Sequence, residues 1–434
     1  MTAGTGGSGR TAALKRELGP FGAVMMGLGA MLGTGVFVSI GLGAGLAGPA
    51  VILALAIAAV VALCNGLSSA QLAAAYPVSG GTYEYGYRLL GPRAGFTAGW
   101  VFLIAKSTSA ATAALGFAGY LLHALGLDPR HAVPVALGAI AALTAVVLAG
   151  IRRSNAANIA IVSVTVLALL FFVGAGLPAV DVANFSPFVG GASERGPVAR
   201  FLEATALMFV AYTGYARIAT LGEEVRQPER TIPRAIVASA LIAMASYVLV
   251  ALVAVGVAGG DELLAATERQ AAPLAVAAKR FTAPYADHVL VVGAIAAMLS
   301  VLLNLLLGLS RVVLAMARRG DVPEFLGRLN AARTTPTWAV LAVALLIAGI
   351  AATGDVRVTW SFSAFAVLIY YALTHLAALR LAPAERRYPR AVARLGLAGC
   401  LGLAFFVDPR IWLTGLVLLA AGLLWHAAAA RLRG

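Results

Sequence analysis

The chain has 434 residues, 61% of them hydrophobic and only 12% charged, with a mean hydropathy of +0.91. Soluble domains carry roughly 25% charged residues, so this composition excludes a soluble globular protein and points to an integral membrane protein. The formal charge of +14 does not argue for a nucleic-acid partner, because the basic residues sit between apolar runs, where they report topology.

Residues 1–19 read as a Gly/Thr/Ser-rich cytoplasmic tail without the apolar core of a cleavable signal peptide. Breaking the remainder at charged, Pro and Gly clusters predicts about twelve helical spans, at 20–43, 49–75, 93–126, 132–150, 155–178, 199–222, 232–258, 285–317, 335–353, 358–381, 392–407 and 410–430. The runs are continuous, whereas barrel strands would alternate with period two. Most of the 32 Lys and Arg fall in alternate connections, among them Arg152, Arg153, Arg318, Arg319, Arg386 and Arg387. That bias places both termini in the cytoplasm of a multi-pass cell-membrane protein. No connection is long enough for a soluble domain. Cys64 and Cys400 lie inside apolar runs and read as packing residues, and the five scattered His give no metal-ligand spacing. We expect neither metal nor cofactor.

Two spans depart from plain apolar helix. The first carries GLGAMLGTGVFVSIG (27–41), with Gly27, Gly29, Gly33, Gly35 and Gly41 near mid-membrane; the sixth places Tyr212, Thr213, Gly214, Tyr215 and Arg217 at similar depth. An offset of five spans between two interrupted helices is what an inverted repeat produces, and such pairs mark transporter sites. Hydrocarbon offers no partner to a free backbone N–H or C=O, so a helix unwinds only where something else satisfies those groups. Freed amides at a half-helix start favour a carboxylate and freed carbonyls favour an ammonium, so an amino acid fits such a break. Close helix packing through small residues explains the first-span glycines as readily. A phosphate-cradling loop is a poor reading, since no strand precedes the stretch.

Four stretches in order, GTGVF (33–37), YPVSGGTYEYGYRLLGPRAGFTAGW (76–100), GEEVRQPERTIPRAI (222–236) and SRVVLAMARRGDVPEFLGRLN with TPTWAV (310–340), resemble the amino acid–polyamine–organocation transporters. The likeness covers about the first 340 residues; the last spans match only in hydropathy. It implies an all-α, LeuT-like membrane fold with one inverted repeat over 20–178, a second over 199–381, and peripheral spans with a tail over 392–434. It implies further that the substrate carboxylate meets Gly33, Thr34, Gly35 and neighbouring amides. The ammonium then meets carbonyls near Met31, Phe209 or Val210, and Tyr212. Around Gly214, Tyr212 and Tyr215 shape the side-chain pocket, with Asn304 or Leu305 and Trp360 as further wall candidates; ordinary helix packing is the alternative for each aromatic. In the 76–100 stretch, Tyr83, Tyr85 and Tyr87 alternate with small or polar residues, as in an interfacial belt, while the resemblance makes it a cytoplasmic gating loop. Glu223 and Glu224 on that side are matched with Arg226, Arg230, Arg88 or Arg311 as gating pairs.

Two charges fall inside the spans. Lys106, in WVFLIAKSTSA, lies near the bilayer centre, where an ionisable residue costs roughly 2.5–3.5 kcal/mol. Sodium-independent relatives often carry a lysine on the fifth span; here NAANIAIVSVTVLALLFFVGAG has none. Lys106 is therefore expected to supply that charge from a neighbouring helix, either titrating during transport or standing as a fixed cation. Many relatives carry an acidic residue at the position matching Ala216; here the acid is gone and Arg217 stands next to it, which argues against a cationic side chain in the pocket, unless Arg217 pairs with Glu223 or Glu224. The reading is a non-enzymatic secondary transporter that moves amino acids by alternating access, independent of sodium, by proton symport or exchange. An amine or polyamine carrier and an amino-acid sensor without net flux stay open, as does the oligomeric state. A membrane enzyme has no catalytic motif in its favour.

Overall fold

A computed structural model describes residues 19–76, 80–150, 155–189, 195–219, 225–330 and 336–431, and no β-sheet forms among them. The first span is split. Helix α1 (Pro20–Met31) starts with proline at its first turn, where a missing N–H costs nothing, and Leu32 leaves helical geometry with ψ of 88°. The chain resumes as a five-residue π-helical turn, Gly35–Ser39, continuous with α2 (Ile40–Ala47). Helix α3 (Val51–Ala75) returns, followed by the short α4 (Thr82–Leu89), α5 (Pro92–Leu125), α6 (Ala132–Leu148) and α7 (Asn155–Gly176). The sixth span is also split, into α8 (Gly196–Tyr212), a 3-10 turn at Thr213–Tyr215 and α9 (Ala216–Ala219). The remaining helices are α10 (Pro228–Gln270), α11 (Pro273–Ala278), α12 (Ala286–Arg319), α13 (Thr337–Ala351), α14 (Val356–Leu379), α15 (Arg390–Ala404) and α16 (Pro409–Arg431).

Among the described residues, eight helical runs are long and apolar enough to cross a membrane. That number is below the twelve expected spans for local reasons. Gly35–Ala75 forms one run of 41 residues across the turn between α2 and α3, and α8, α13 and α15 are only 17, 15 and 15 residues long. The seventh span also runs further than its hydropathy suggests. α10 kinks at Gly259, whose φ of 75° suits glycine, and continues to Gln270 before α11. This extra turn and α11 were not expected from the sequence.

Apolar side chains fill the centre in one continuous cluster spanning α1 to α16. Contacts between helix ends define two faces. At the near face, where α1 begins, Asp321 after α12 meets α4 and α16, and Gln71 of α3 accepts from the backbone N–H of Arg387 and Tyr388. At the far face, Arg200 of α8 donates to the carbonyl of Gly45 at 2.7 Å, and Arg195 pairs with Glu203 at 2.7 Å.

Candidate functional site

The two interrupted spans cross at their breaks, and glycine permits the approach. A Cβ on Gly35 would stand 2.4 Å from the Ala211 Cβ, and one on Gly214 would stand 2.4 Å from both the carbonyl carbon and oxygen of Ala30. No side chain fits at either crossing, so backbone of one span lies directly on the other. Gly33, in the turn between α1 and the π-helical segment, faces Val301 of α12.

The backbone groups released at the breaks have defined partners. Gly33 offers its carbonyl to the amides of Val36 and Phe37, both at 3.1 Å. With the amides of Val36 and Phe37 so held, the start of the helical segment at Gly35 still carries the partial positive charge of a helix N-terminus. On the carbonyl side, the Tyr247 hydroxyl of α10 donates to Met31 O at 2.7 Å and to Ala211 O at 3.1 Å. Thr213 Oγ1 donates to Val210 O at 2.8 Å, and Tyr371 of α14 donates to Thr213 O at 3.3 Å. Three hydroxyls of the broken segments stay unmatched: Thr34 Oγ1 and the phenols of Tyr212 and Tyr215 are buried without a hydrogen-bond partner. A buried unsatisfied polar group costs about 1–3 kcal/mol.

The sequence-selected residues thus fall into two groups. Met31, Gly33, Thr34, Gly35, Val210, Tyr212 and Gly214 lie at the crossing. Phe209 and Tyr215 pack next to it, each with its ring 5.9 Å and 5.5 Å, respectively, from that of Tyr371. Trp360 reaches the neighbouring turn of α8, donating to Leu207 O at 3.0 Å. Asn304 and Leu305 lie one helical turn beyond Val301, the residue that faces Gly33. Tyr247, Tyr120 and Ala211 had no sequence signal pointing to them.

Lys106 reaches the sixth-span break itself: Nζ donates to Thr213 Oγ1 at 2.9 Å, and that hydroxyl passes the bond on to Val210 O. Among the described residues the ammonium meets a hydroxyl rather than a carboxylate. In the fifth span, Asn158 Nδ2 donates to Met25 O of α1 at 3.1 Å, so that helix contributes a neutral amide to the first span. Glu223 and Glu224 lie outside the described residues, and Arg217 is located only as a backbone position in α9.

Behind the first break, Tyr120 of α5 donates to Phe37 O at 2.7 Å, and Ser39 Oγ donates to Gly35 O at 2.5 Å. These bonds satisfy carbonyls along a π-helical turn, a form that is uncommon outside functional sites. Tyr120→Phe is expected to cost about 1 kcal/mol, lowering the thermal midpoint of the purified protein by about 2–4 °C. An unchanged midpoint would show that the turn holds itself.

The near face is closed by a second polar cluster. Tyr83 and Tyr87 stand four residues apart on one side of α4. They donate to Asp321 at 2.6 Å and at 2.7–2.8 Å, while Tyr85 packs on Leu72 and Leu381. Burial, reinforced by the Asp321 carboxylate, pushes both phenols up, so they remain protonated donors. Gly320, at φ 79°, ends α12 in a left-handed turn that swings Asp321 toward α4. Arg319 stacks over Tyr87 at 4.0 Å and pairs with Glu84 at 2.6 Å. From α16, Trp425 donates to Asp321 O at 2.9 Å, and His426 Nδ1 lies 3.5 Å from the carboxylate. Arg88 lies over the Tyr76 ring at 5.8 Å; its expected partners Glu223 and Glu224 lie outside the described residues. At the far face a cavity of about 220 Å³ opens between α2, α8 and the starts of α14 and α16, lined by Arg195, Arg200, Glu203, Arg357 and Asp408.

A membrane-embedded helical bundle with two crossed, interrupted helices and buried hydroxyls at the crossing has the makings of a small-molecule carrier. Residues 22–430 match the amino acid permease family, and the chain belongs to it. It is 42% identical to an uncharacterized transporter of Mycobacterium tuberculosis, over 94% of this chain and 90% of that one. It is 31% identical to the branched-chain amino acid permease BcaP of Bacillus subtilis, over 75% of this chain and 72% of the relative. With cationic amino acid transporter 4 of Homo sapiens it shares 30% identity, over 82% of this chain and 58% of that one.

Proposed function

We propose that this protein carries neutral amino acids across the cell membrane by alternating access around the crossing of the two broken spans. The observation that carries this reading is the pair of buried, unpartnered hydroxyls, Thr34 Oγ1 and Tyr212 OH, beside released backbone amides and carbonyls. An amino acid brings a carboxylate for the amides from Gly33 to Gly35 and an ammonium for the carbonyls of Met31 and the α8 end. The near face is cytoplasmic, with both termini on that side. The chain comprises two inverted five-span repeats, over 20–178 and 199–381, and two peripheral spans. Rocking of one helix group against the other alternately exposes the crossing.

Phe209, Tyr212 and Tyr371 surround the crossing with aromatic surface, which favours an apolar side chain, in keeping with the name of the branched-chain relative. A polyamine would need a carboxylate for its second ammonium, and among the described residues the crossing is built from backbone, hydroxyls and Lys106. Lys106 holds the sixth-span break as a buried cation in place of a metal ion, and coupling to protons runs through it.

Uptake into proteoliposomes tests this. Neutral amino acids should accumulate under an imposed inward proton gradient without sodium, and Lys106→Ala should lower gradient-driven uptake at least about tenfold, corresponding to roughly 1.4 kcal/mol. Uptake that ignores the gradient and requires amino acid inside would make the protein an exchanger with Lys106 as a fixed charge. Binding without any flux or counterflow would make it a sensor.

A further inference from the structure

Tyr247 sits where the two broken spans release their carbonyls, yet it belongs to neither span. Its side chain is wholly buried on α10, with its ring 5.0 Å from that of Tyr212. One phenolic proton faces two acceptors, Met31 O at 2.7 Å and Ala211 O at 3.1 Å. A hydroxyl has a single proton to share, so the pair of carbonyls is undersupplied. An ammonium has three donors and a full charge, and charge-assisted bonds are about twice as strong as neutral ones.

We infer that the Tyr247 hydroxyl is a built-in stand-in for the ammonium of the substrate. It bridges the two breaks while the site is empty and yields the carbonyls of Met31 and Ala211 when an α-ammonium arrives. The inference rests on reading the crossing as an amino-acid site. It makes Tyr247 a specificity-determining residue. A ligand bearing an ammonium displaces the phenol with a net gain in bonding, whereas a ligand with a hydroxyl or hydrogen in that place gains nothing and is refused. No net bond making or breaking is required beyond the exchange of hydrogen bonds, and the phenol turns aside with its proton.

The test compares wild-type protein with Tyr247→Phe, using leucine and its deaminated analogue 2-hydroxy-4-methylpentanoate as probes in equilibrium binding to purified protein. The phenyl ring preserves packing and removes the competing donor. Leucine should bind the variant about tenfold more tightly than wild type, and the hydroxy acid, which wild type refuses, should gain a comparable factor once the phenol is gone. Unchanged or weaker leucine binding by the variant would overturn the inference. A second readout needs no variant that must fold differently: fluorotyrosine at position 247 should shift its 19F resonance with leucine and not with the hydroxy acid. An unmoved resonance on leucine binding would likewise overturn it. If wild-type protein binds neither leucine nor any other amino acid, the amino-acid site and the role of Tyr247 fall together. If it binds them while both Tyr247 readouts are silent, only the stand-in role falls.

Discussion

Gly214→Ala is expected to abolish amino-acid uptake, to below about one hundredth of wild type. The added methyl would stand 2.4 Å from Ala30 C and O and 2.7 Å from Met31 N, all backbone atoms. A flexible side chain could turn away from such a clash; a main chain held in a buried crossing cannot. Overpacking of this kind costs about 1–3 kcal/mol, and relief comes only by prising the two breaks apart. A displacement near 1 Å is enough to cost about a hundredfold where geometry positions reactants, and the same reasoning applies to a site made of backbone. Gly138→Ala in α6 is the matched control, because a Cβ there meets nothing within 4 Å; a mid-helix alanine there should be neutral or slightly stabilising. Uptake measured beside gel filtration separates loss of the site from loss of the fold. Wild-type affinity in folded Gly214→Ala protein would reject the crossing as the binding site.

Asp321→Ala is expected to unfasten the near face. Its carboxylate is 2% exposed and accepts from the hydroxyls of Tyr83 and Tyr87. Hydrogen bonds to a charged group contribute about 1.5–3 kcal/mol each, so losing two should weaken the attachment of α4 by at least about 3 kcal/mol. Since 1.4 kcal/mol is a factor of ten, amides of α4 should exchange about a hundredfold faster with deuterium, while those of α5 near Lys106 stay protected. Asp321→Asn keeps one acceptor oxygen and should fall between. Unaltered exchange in α4 would mean that its packing on Gly95 and Gly99 of α5, both in contact with the tyrosine rings, suffices without the carboxylate.

The sequence spoke clearly wherever a residue type is unusual in hydrocarbon. Gly33, Gly35 and Gly214 mark the breaks because a helix-loosening residue in an apolar run demands a reason, and Lys106 stands out through its charge. Tyr247 and Tyr120 are different. An aromatic residue in an apolar helix is ordinary, and their importance arises only when tertiary crossing brings each hydroxyl to a carbonyl hundreds or tens of residues away. Asp321 lay within a quoted stretch without a role, since its partners come from α4 and α16. The tyrosines of α4 were legible as a group, while the helix and Asp321 are needed to show that Tyr83 and Tyr87 share one side of it. Helix ends were legible to a few residues where proline or glycine punctuates, as at Pro92 and Gly320, and less so at Gly259, where the helix continues past the apolar run through the charged stretch GDELLAATERQ.

Ribosomes deliver this chain from its N-terminus, and that order matters for the cluster around Asp321. Its first two donors emerge at Tyr83 and Tyr87 and its acceptor far later, and Trp425 and His426 come from the final helix. A nascent chain can therefore assemble both broken spans, and with them the crossing, well before its near face is fastened. The last turns of α16 complete that fastening, through Trp425 and His426 at Asp321 and the ring of Phe96 stacked on His426.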